Sequence, residues 1–285
     1  MPEHPPARPD GAQIDRSVVS IGAGNMARAI LLGAVERGVI EPGLVTAADP
    51  NPPQRAVFEA VGARTAETAA VAVASCPPDA AVLLAVKPQM LAGVAEELPA
   101  GAMDGRLVIS ILAGTTGEGV QRAFGGGCRV VRVMPNTPAR VGRGMSAVCA
   151  GPGATEEDLA FVERLFGAVG EVVRLEEELM DAFTGVAGSG PAYVFYLVEA
   201  MTAGAIATGI EPADAARIAR ATVIGAARLL EASPDESAEA LRASVTSKNG
   251  TTFAATESLD RDGVRDAFVR AILAARDRGR ELGQG

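Results

Sequence analysis

The sequence predicts an α/β chain in which a doubly wound parallel sheet is followed by an all-helical half. Three observations carry this. Strand-like and helix-like segments alternate through the first half of the 285 residues, the order that lays helices on both faces of a parallel sheet. A glycine-rich turn joins the first strand to the first helix. After about Leu175 the apolar segments all have helical length and composition.

Taken in order, Ser17–Ile21 is a short apolar run ending at Gly22, and Asn25–Glu36 follows with helical composition. Leu44–Ala48 reads as a second strand and Gln54–Val61 as a helix. Ala80–Val86 is continuously apolar, as a strand covered on both faces should be. Leu107–Leu112 and Arg129–Val133 repeat that pattern, and Met145–Ala150 and Glu171–Leu175 flank a helix at Glu156–Phe166. Beyond them Leu179–Phe183, Pro191–Thr208, Ala213–Glu231, Glu236–Val245, Thr251–Leu259 and Val264–Leu282 read as helices, punctuated by Gly209, Pro212, Pro234 and Gly263. The expected organisation is a disordered Pro-rich leader at 1–15, a sheet domain at 16–175 and a helical domain at 176–285. The leader lacks the apolar run of a secretory signal, so the expected location is the cytoplasm.

Composition narrows the chemistry. The formal charge is −9, which argues against a nucleic-acid surface. The single His4 lies in the leader, which excludes His-based acid/base catalysis, Ser-His-Asp triads and ordinary His-containing metal sites; no metal is expected. Cys76, Cys128 and Cys149 are widely spaced with no C-x-x-C pair and read as reduced core thiols. From Ala182 to Ile210 the only charge is Glu199, long enough to raise the question of a membrane span. Six Gly and Pro residues and the central Glu199 favour instead a helix buried between subunits.

The turn Ile21-Gly22-Ala23-Gly24-Asn25-Met26-Ala27 fits G-x-G-x-x-G/A between a strand and a helix. Gly22 allows the turn, Gly24 lets the backbone approach a pyrophosphate, and the helix start offers free N–H groups. In this context the turn predicts a Rossmann-type dinucleotide site for NADPH or NADH. Asp49 ends the second strand, where an acidic residue bonds the adenosine ribose and repels a 2′-phosphate; Asn51 and Arg55 follow and can offset that repulsion. Of 26 cations only Lys87 and Lys248 are lysines. Lys87 follows the strand Ala80–Val86 at a carboxyl end of the sheet. Lys248 lies in a Ser/Thr-rich loop that reads either as helix capping or as a cradle for a substrate carboxylate.

Six segments in order complete the picture: Ile21–Met26, Ala85-Val86-Lys87-Pro88, Ile109–Thr115 (ISILAGT), Arg132–Ala139 (RVMPNTPA), Asp181–Tyr196 (DAFTGVAGSGPAYVFY) and Val245–Thr252 (VTSKNGTT). Together they resemble pyrroline-5-carboxylate reductase over roughly residues 16–283. The resemblance implies an all-α dimerisation domain after the Rossmann-type doubly wound parallel sheet, assembly as homodimers or decamers, and reduction of 1-pyrroline-5-carboxylate to L-proline by NADPH or NADH. It implies that Ile21, Gly22, Ala23, Gly24, Asn25, Met26, Ala85, Val86, Lys87 and Pro88 contact the dinucleotide. Ala113, Gly114 and the loop around Asn136 would lie near the nicotinamide. Ser189 and Gly190 would start an interfacial helix near the reacting centre. Ser247, Gly250 and Thr251 would face the substrate carboxylate, with Lys248 and Asn249 in the same loop, and Thr252 the ring nitrogen, so that Ser247 and Thr252 are the expected catalytic pair. Asn249 stands where the family usually has Gly; Asn best tolerates a left-handed backbone, so the loop should keep its shape. Two alternatives remain open: a relative acting on a larger cyclic imine or a deazaflavin, and a non-catalytic nucleotide-binding scaffold.

Overall fold

A computed structural model describes residues 13–283, so His4 and the leader up to residue 12 lie outside the described residues. The first elements are β1 (Val18–Ile21), α1 (Asn25–Glu36), β2 (Val45–Ala48), α2 (Pro52–Glu59), β3 (Arg64–Ala66), α3 (Ala69–Ala74) and β4 (Ala81–Leu84). They are followed by α4 (Leu91–Glu97), β5 (Leu107–Ser110), α5 (Gly117–Ala123), β6 (Arg129–Met134), β7 (Gly144–Ala150), α6 (Glu156–Gly167) and β8 (Gly170–Arg174). The strands form one sheet in the order β3-β2-β1-β4-β5-β6-β7-β8, the dinucleotide-binding order with two strands added at one edge. Alternate residues feed opposite faces. Val18, Ala47, Leu83 and Ile109 pack with α1 and α6, while Val19, Val82, Leu84 and Val108 pack with α3.

Local chemistry sets the element ends. Pro52 and Pro53 open α2, where a missing N–H costs nothing. Thr68 and Thr116 cap α3 and α5, and Thr155 with Asp158 forms a capping box on α6. Two features depart from the expected pattern. β3 and α3 fill a stretch in which no element is expected, since a three-residue strand and an Ala/Val-rich helix show no periodicity. In an otherwise parallel sheet, β7 runs antiparallel to β6. The connection between them spans residues 135–143, too short for the dozen or more residues that a parallel crossover needs.

The chain continues through α7 (Met180–Phe183), a π-helical turn at Thr184–Gly188, α8 (Gly190–Ala207), α9 (Pro212–Ala232), α10 (Ala238–Ser244), α11 (Thr251–Arg261) and α12 (Val264–Gly283). Two compact units result, one reaching to Gly188 and taking in the chain from Ala275, the other Ser189–Ala274. The last strand ends at Arg174, where the change from strand to helix is expected, while the division into compact units falls at Gly188. Met180 is buried against Ala147 and Cys149, and Arg132 on β6 pairs with Glu177 and Asp181, so residues 176–188 stay with the sheet. The end of α12 returns to the same unit. A Cβ placed on Gly279 would lie 3.3 Å from Asp181, and one on Gly114 3.3 Å from the Gly283 nitrogen.

In the second unit α8 packs along α9, and Tyr193 meets Phe268 edge-on at 6.5 Å. Only Ala215 and Ala219 there are buried, while Phe195 and Tyr196 on α8 are 63% and 71% exposed. Among the described residues no helix is long and apolar enough to cross a membrane.

Candidate active site

The turn after β1 has the geometry its sequence requires. Gly22 takes φ +98°, and a Cβ there would lie 2.5 Å from the Ala85 carbonyl oxygen, so only glycine fits between the ends of β1 and β4. At Gly24 no protein atom lies within 4 Å of where a Cβ would be. Gly24 is the N-cap of α1 with no side-chain cap, which leaves the first N–H groups of this helix to a ligand. Ile21, Ala23 and Ala27 are buried beneath the turn, while Asn25 is exposed and Met26 half-buried. These residues fit a dinucleotide pyrophosphate.

Asp49 sits at the rim of this turn, half-buried. Its Oδ2 accepts the Ala23 N–H at 2.9 Å and its Oδ1 the Asn51 N–H at 2.9 Å. The Arg55 guanidinium donates to the Asp49 carbonyl oxygen at 2.7 Å rather than to the carboxylate. Asp49 is therefore a fixed negative charge that also braces the glycine turn.

β1, β4, β5 and β6 are neighbours and parallel, so their carboxyl ends gather the predicted segments along one edge. Ala85–Pro88 follows β4, with Ala85 donating to the Ile21 carbonyl at 2.8 Å and Lys87 exposed. Ala113, exposed, and Gly114, at φ +72°, follow β5. Asn136, 8% exposed, follows β6. Its side chain is committed to the protein: Oδ1 accepts the Met145 N–H at 2.9 Å and Nδ2 donates to the Ala187 carbonyl at 3.0 Å.

A partly buried ion-pair network centred on Arg132 of β6 is not among the predicted site residues. Arg132, 4% exposed, pairs with Glu177 at 3.2 Å and Asp181 at 3.8 Å. Glu177 also accepts the Gly117 N–H at 2.9 Å, tying in the start of α5. The signal available in the sequence is a charge inside the apolar run Arg129–Met134 and an acidic cluster at Glu176–Asp181. All three cysteines are buried and free. Burial, then the charge on Glu177, pushes the Cys149 thiol up to about 11, and burial raises Cys128. Both are unreactive thiols.

The second predicted set lies in the helical unit. Asn249 has φ 59°, the one positive φ among the described non-glycine residues, and so supplies the left-handed turn that glycine usually gives. The Gly250 N–H donates to the Ser247 carbonyl at 3.0 Å. A Cβ on Gly250 would clash with the Ser247 Oγ, so glycine is needed for the hydroxyl to fold back. Gly250 is the N-cap of α11 and no side chain caps that helix, although Thr246, Ser247, Thr251 and Thr252 all stand within the Thr246–Thr252 segment. The capping reading is thereby set aside. The first N–H groups of α11 have no side-chain cap; Ser247, Lys248 and Thr251 beside them in the chain are exposed, and Thr252 is half-buried in the first turn. Ser189 and Gly190 stand at the start of α8, in the same unit. No group of His, Cys, Asp and Glu residues able to hold a metal occurs among the described residues.

A Rossmann-type sheet with an intact phosphate turn, followed by a helical unit with an anion-ready helix start, defines a nicotinamide-dependent oxidoreductase of two units. Comparison with known proteins gives the family. Residues 177–282 match the family model for pyrroline-5-carboxylate reductase dimerisation, and residues 17–114 that for NADP oxidoreductase, coenzyme F420-dependent. The chain is 39% identical to a pyrroline-5-carboxylate reductase of Arabidopsis thaliana over 93% of this chain and 94% of that one. It is also 39% identical to one of Methanosarcina acetivorans, covering 93% and 97%. A solved pyrroline-5-carboxylate reductase from Coxiella burnetii superposes with TM-score 0.85 at 32% identity, covering 94% of this chain and 98% of that one. The chain belongs to the pyrroline-5-carboxylate reductase family.

Proposed function

We propose that this chain reduces the cyclic imine 1-pyrroline-5-carboxylate to L-proline, the final step of proline biosynthesis, with NADH or NADPH. The observation that carries the reading is the Thr246–Thr252 loop, a hydroxyl-lined turn opening a helix that no side chain caps. Ser247, Gly250, Thr251 and the first N–H groups of α11 hold the substrate carboxylate, and Lys248 and Asn249 flank it. Lys248 adds local positive charge in a chain whose net charge of −9 has the wrong sign. Ser189 and Gly190 contribute to the same substrate. Thr252 orients the ring nitrogen and relays a proton to it. The hydride comes from the nicotinamide cofactor when bound, held by Ile21–Met26, Asp49, Asn51, Ala85–Pro88, Ala113 and Gly114. A protonated imine already carries the positive charge that hydride transfer cancels, so the chain needs orientation and a polar clamp rather than a strong acid.

Asp49 gives the reading a cofactor preference. Its carboxylate, fixed by two backbone N–H groups, would face a 2′-phosphate at short range, which favours NADH. Asp49→Ser should raise the NADPH/NADH ratio of kcat/KM by about tenfold, the effect of removing one close like charge; an unchanged ratio contradicts the preference. The helical unit pairs two copies into a dimer from which larger assemblies such as a decamer are built, in the cytoplasm. A second reading, reduction of a larger cyclic imine or of a deazaflavin, rests on Asn249 in the substrate loop and on the coenzyme F420-dependent match over residues 17–114. Steady-state rates with five- and six-membered ring imines and with a deazaflavin separate the two readings: the first requires the five-membered ring to be fastest.

A further inference from the structure

The loop after β6 and the turn before α8 are joined by side chains rather than by the sheet. Arg132 reaches Glu177 and Asp181, and four residues later the Asn136 amide donates to the Ala187 carbonyl. Ala187 lies inside the π-helical turn Thr184–Gly188. Such a turn widens the backbone and leaves carbonyl groups out of the regular ladder, which is why π-turns persist only where something else satisfies them. The Asn136 Nδ2 is that partner here. The opposite end of the amide is fixed by the Met145 N–H on β7, so one buried side chain spans the loop, the adjoining strand and the turn. At Gly188, which closes the turn, an added Cβ would lie 3.2 Å from the methyl of Met134, the last residue of β6, so the turn also lies close against the end of that strand.

We infer that Asn136 is a positioning residue: it holds the Thr184–Gly188 turn, the segment that leads in the chain into Ser189 and Gly190, rather than binding the dinucleotide. The inference rests on the reductase reading for its kinetic consequence but not for its structural one. The donor to Ala187 and the acceptor for Met145 N–H use both ends of the amide.

The test compares Asn136→Asp with Asn136→Ala in the full-length protein. Aspartate keeps an acceptor for Met145 but sets a carboxylate oxygen against the Ala187 carbonyl; alanine removes both bonds. In both variants the Kd for NADH, measured without imine by nucleotide fluorescence, should stay within about twofold of wild type, since no ligand contact is lost. Amide exchange across residues 184–190 should accelerate, and kcat/KM for the imine should fall by about tenfold or more as the turn that precedes Ser189 and Gly190 loosens. In the wild type, those amides should exchange as slowly as those of β6 and β7, a measurement that stands even if a variant fails to fold. A tenfold weaker Kd with unchanged exchange would make Asn136 a cofactor ligand and overturn the proposal. So would fast exchange of 184–190 in the wild type. Loss of imine turnover in the wild type itself would strike the reductase reading and leave the exchange result standing.

Discussion

Thr252 stands in the first turn of α11, half-buried, beside a loop held open by Asn249 and Gly250. Removing its hydroxyl should lower kcat/KM for the imine by ~1–3 kcal/mol in transition-state terms, the usual cost of a lost buried hydrogen bond. The Kd for the dinucleotide should not move, and unchanged kinetics would take Thr252 out of the site. The residues legible in the sequence are those whose backbone leaves no choice. Gly22 must lie against Ala85, and position 249 must turn left-handed, so the residue types announce the geometry. Arg132, Glu177 and the strut made by Asn136 were not legible as such. Their roles depend on partners 45 to 51 positions away in the chain, and nothing local marks which buried polar residue meets which.

Among the elements, α6 shows how one helix start carries stability. Asp158 is almost fully buried, and burial alone would raise its carboxyl; the Arg129 guanidinium and the Thr155 N–H and hydroxyl outweigh this and hold it down to about 2. A carboxyl with a depressed folded-state pKa stabilises fully above its unfolded value of about 3.9, and that stability fades as pH falls toward the folded value. Asp158→Asn should therefore cost about 1–2 kcal/mol near neutral pH, and unfolding free energy should fall less steeply between pH 4 and 2 than in the wild type. Denaturant titrations at a series of pH values check both, and parallel pH slopes would contradict the assignment. Long apolar elements such as β4, β5 and α8 were visible from composition alone. β3 and α3 were not, because three residues and an Ala/Val run carry no period. The reversal of β7 is legible only from the length of the connection before it.

At the scale of the molecule the two units differ in how they are finished. The sheet is covered on both faces, whereas α8 carries one charge and no buried residue, with Phe195, Tyr196 and Leu197 in a row exposed. Apolar surface of that extent is an interface surface. Light scattering should give a mass at least twice the 29.0 kDa of one chain, and Phe195→Glu with Tyr196→Glu should shift it toward the monomer; a stable wild-type monomer would contradict the reading. An α/β half and a helical half were both legible. The change from strand to helix after Arg174 was legible too; what composition does not show is that Arg132 and Met180 hold residues 176–188 to the sheet beyond it. The core of the reading is that the described residues, which contain no histidine, turn a five-membered cyclic imine into proline. Its most direct test is the purified full-length protein given 1-pyrroline-5-carboxylate with NADH and, in parallel, NADPH. Oxidation of the nucleotide should be matched mole for mole by L-proline and should run faster with NADH. Absence of proline with both nucleotides, in protein that binds either one, would contradict it.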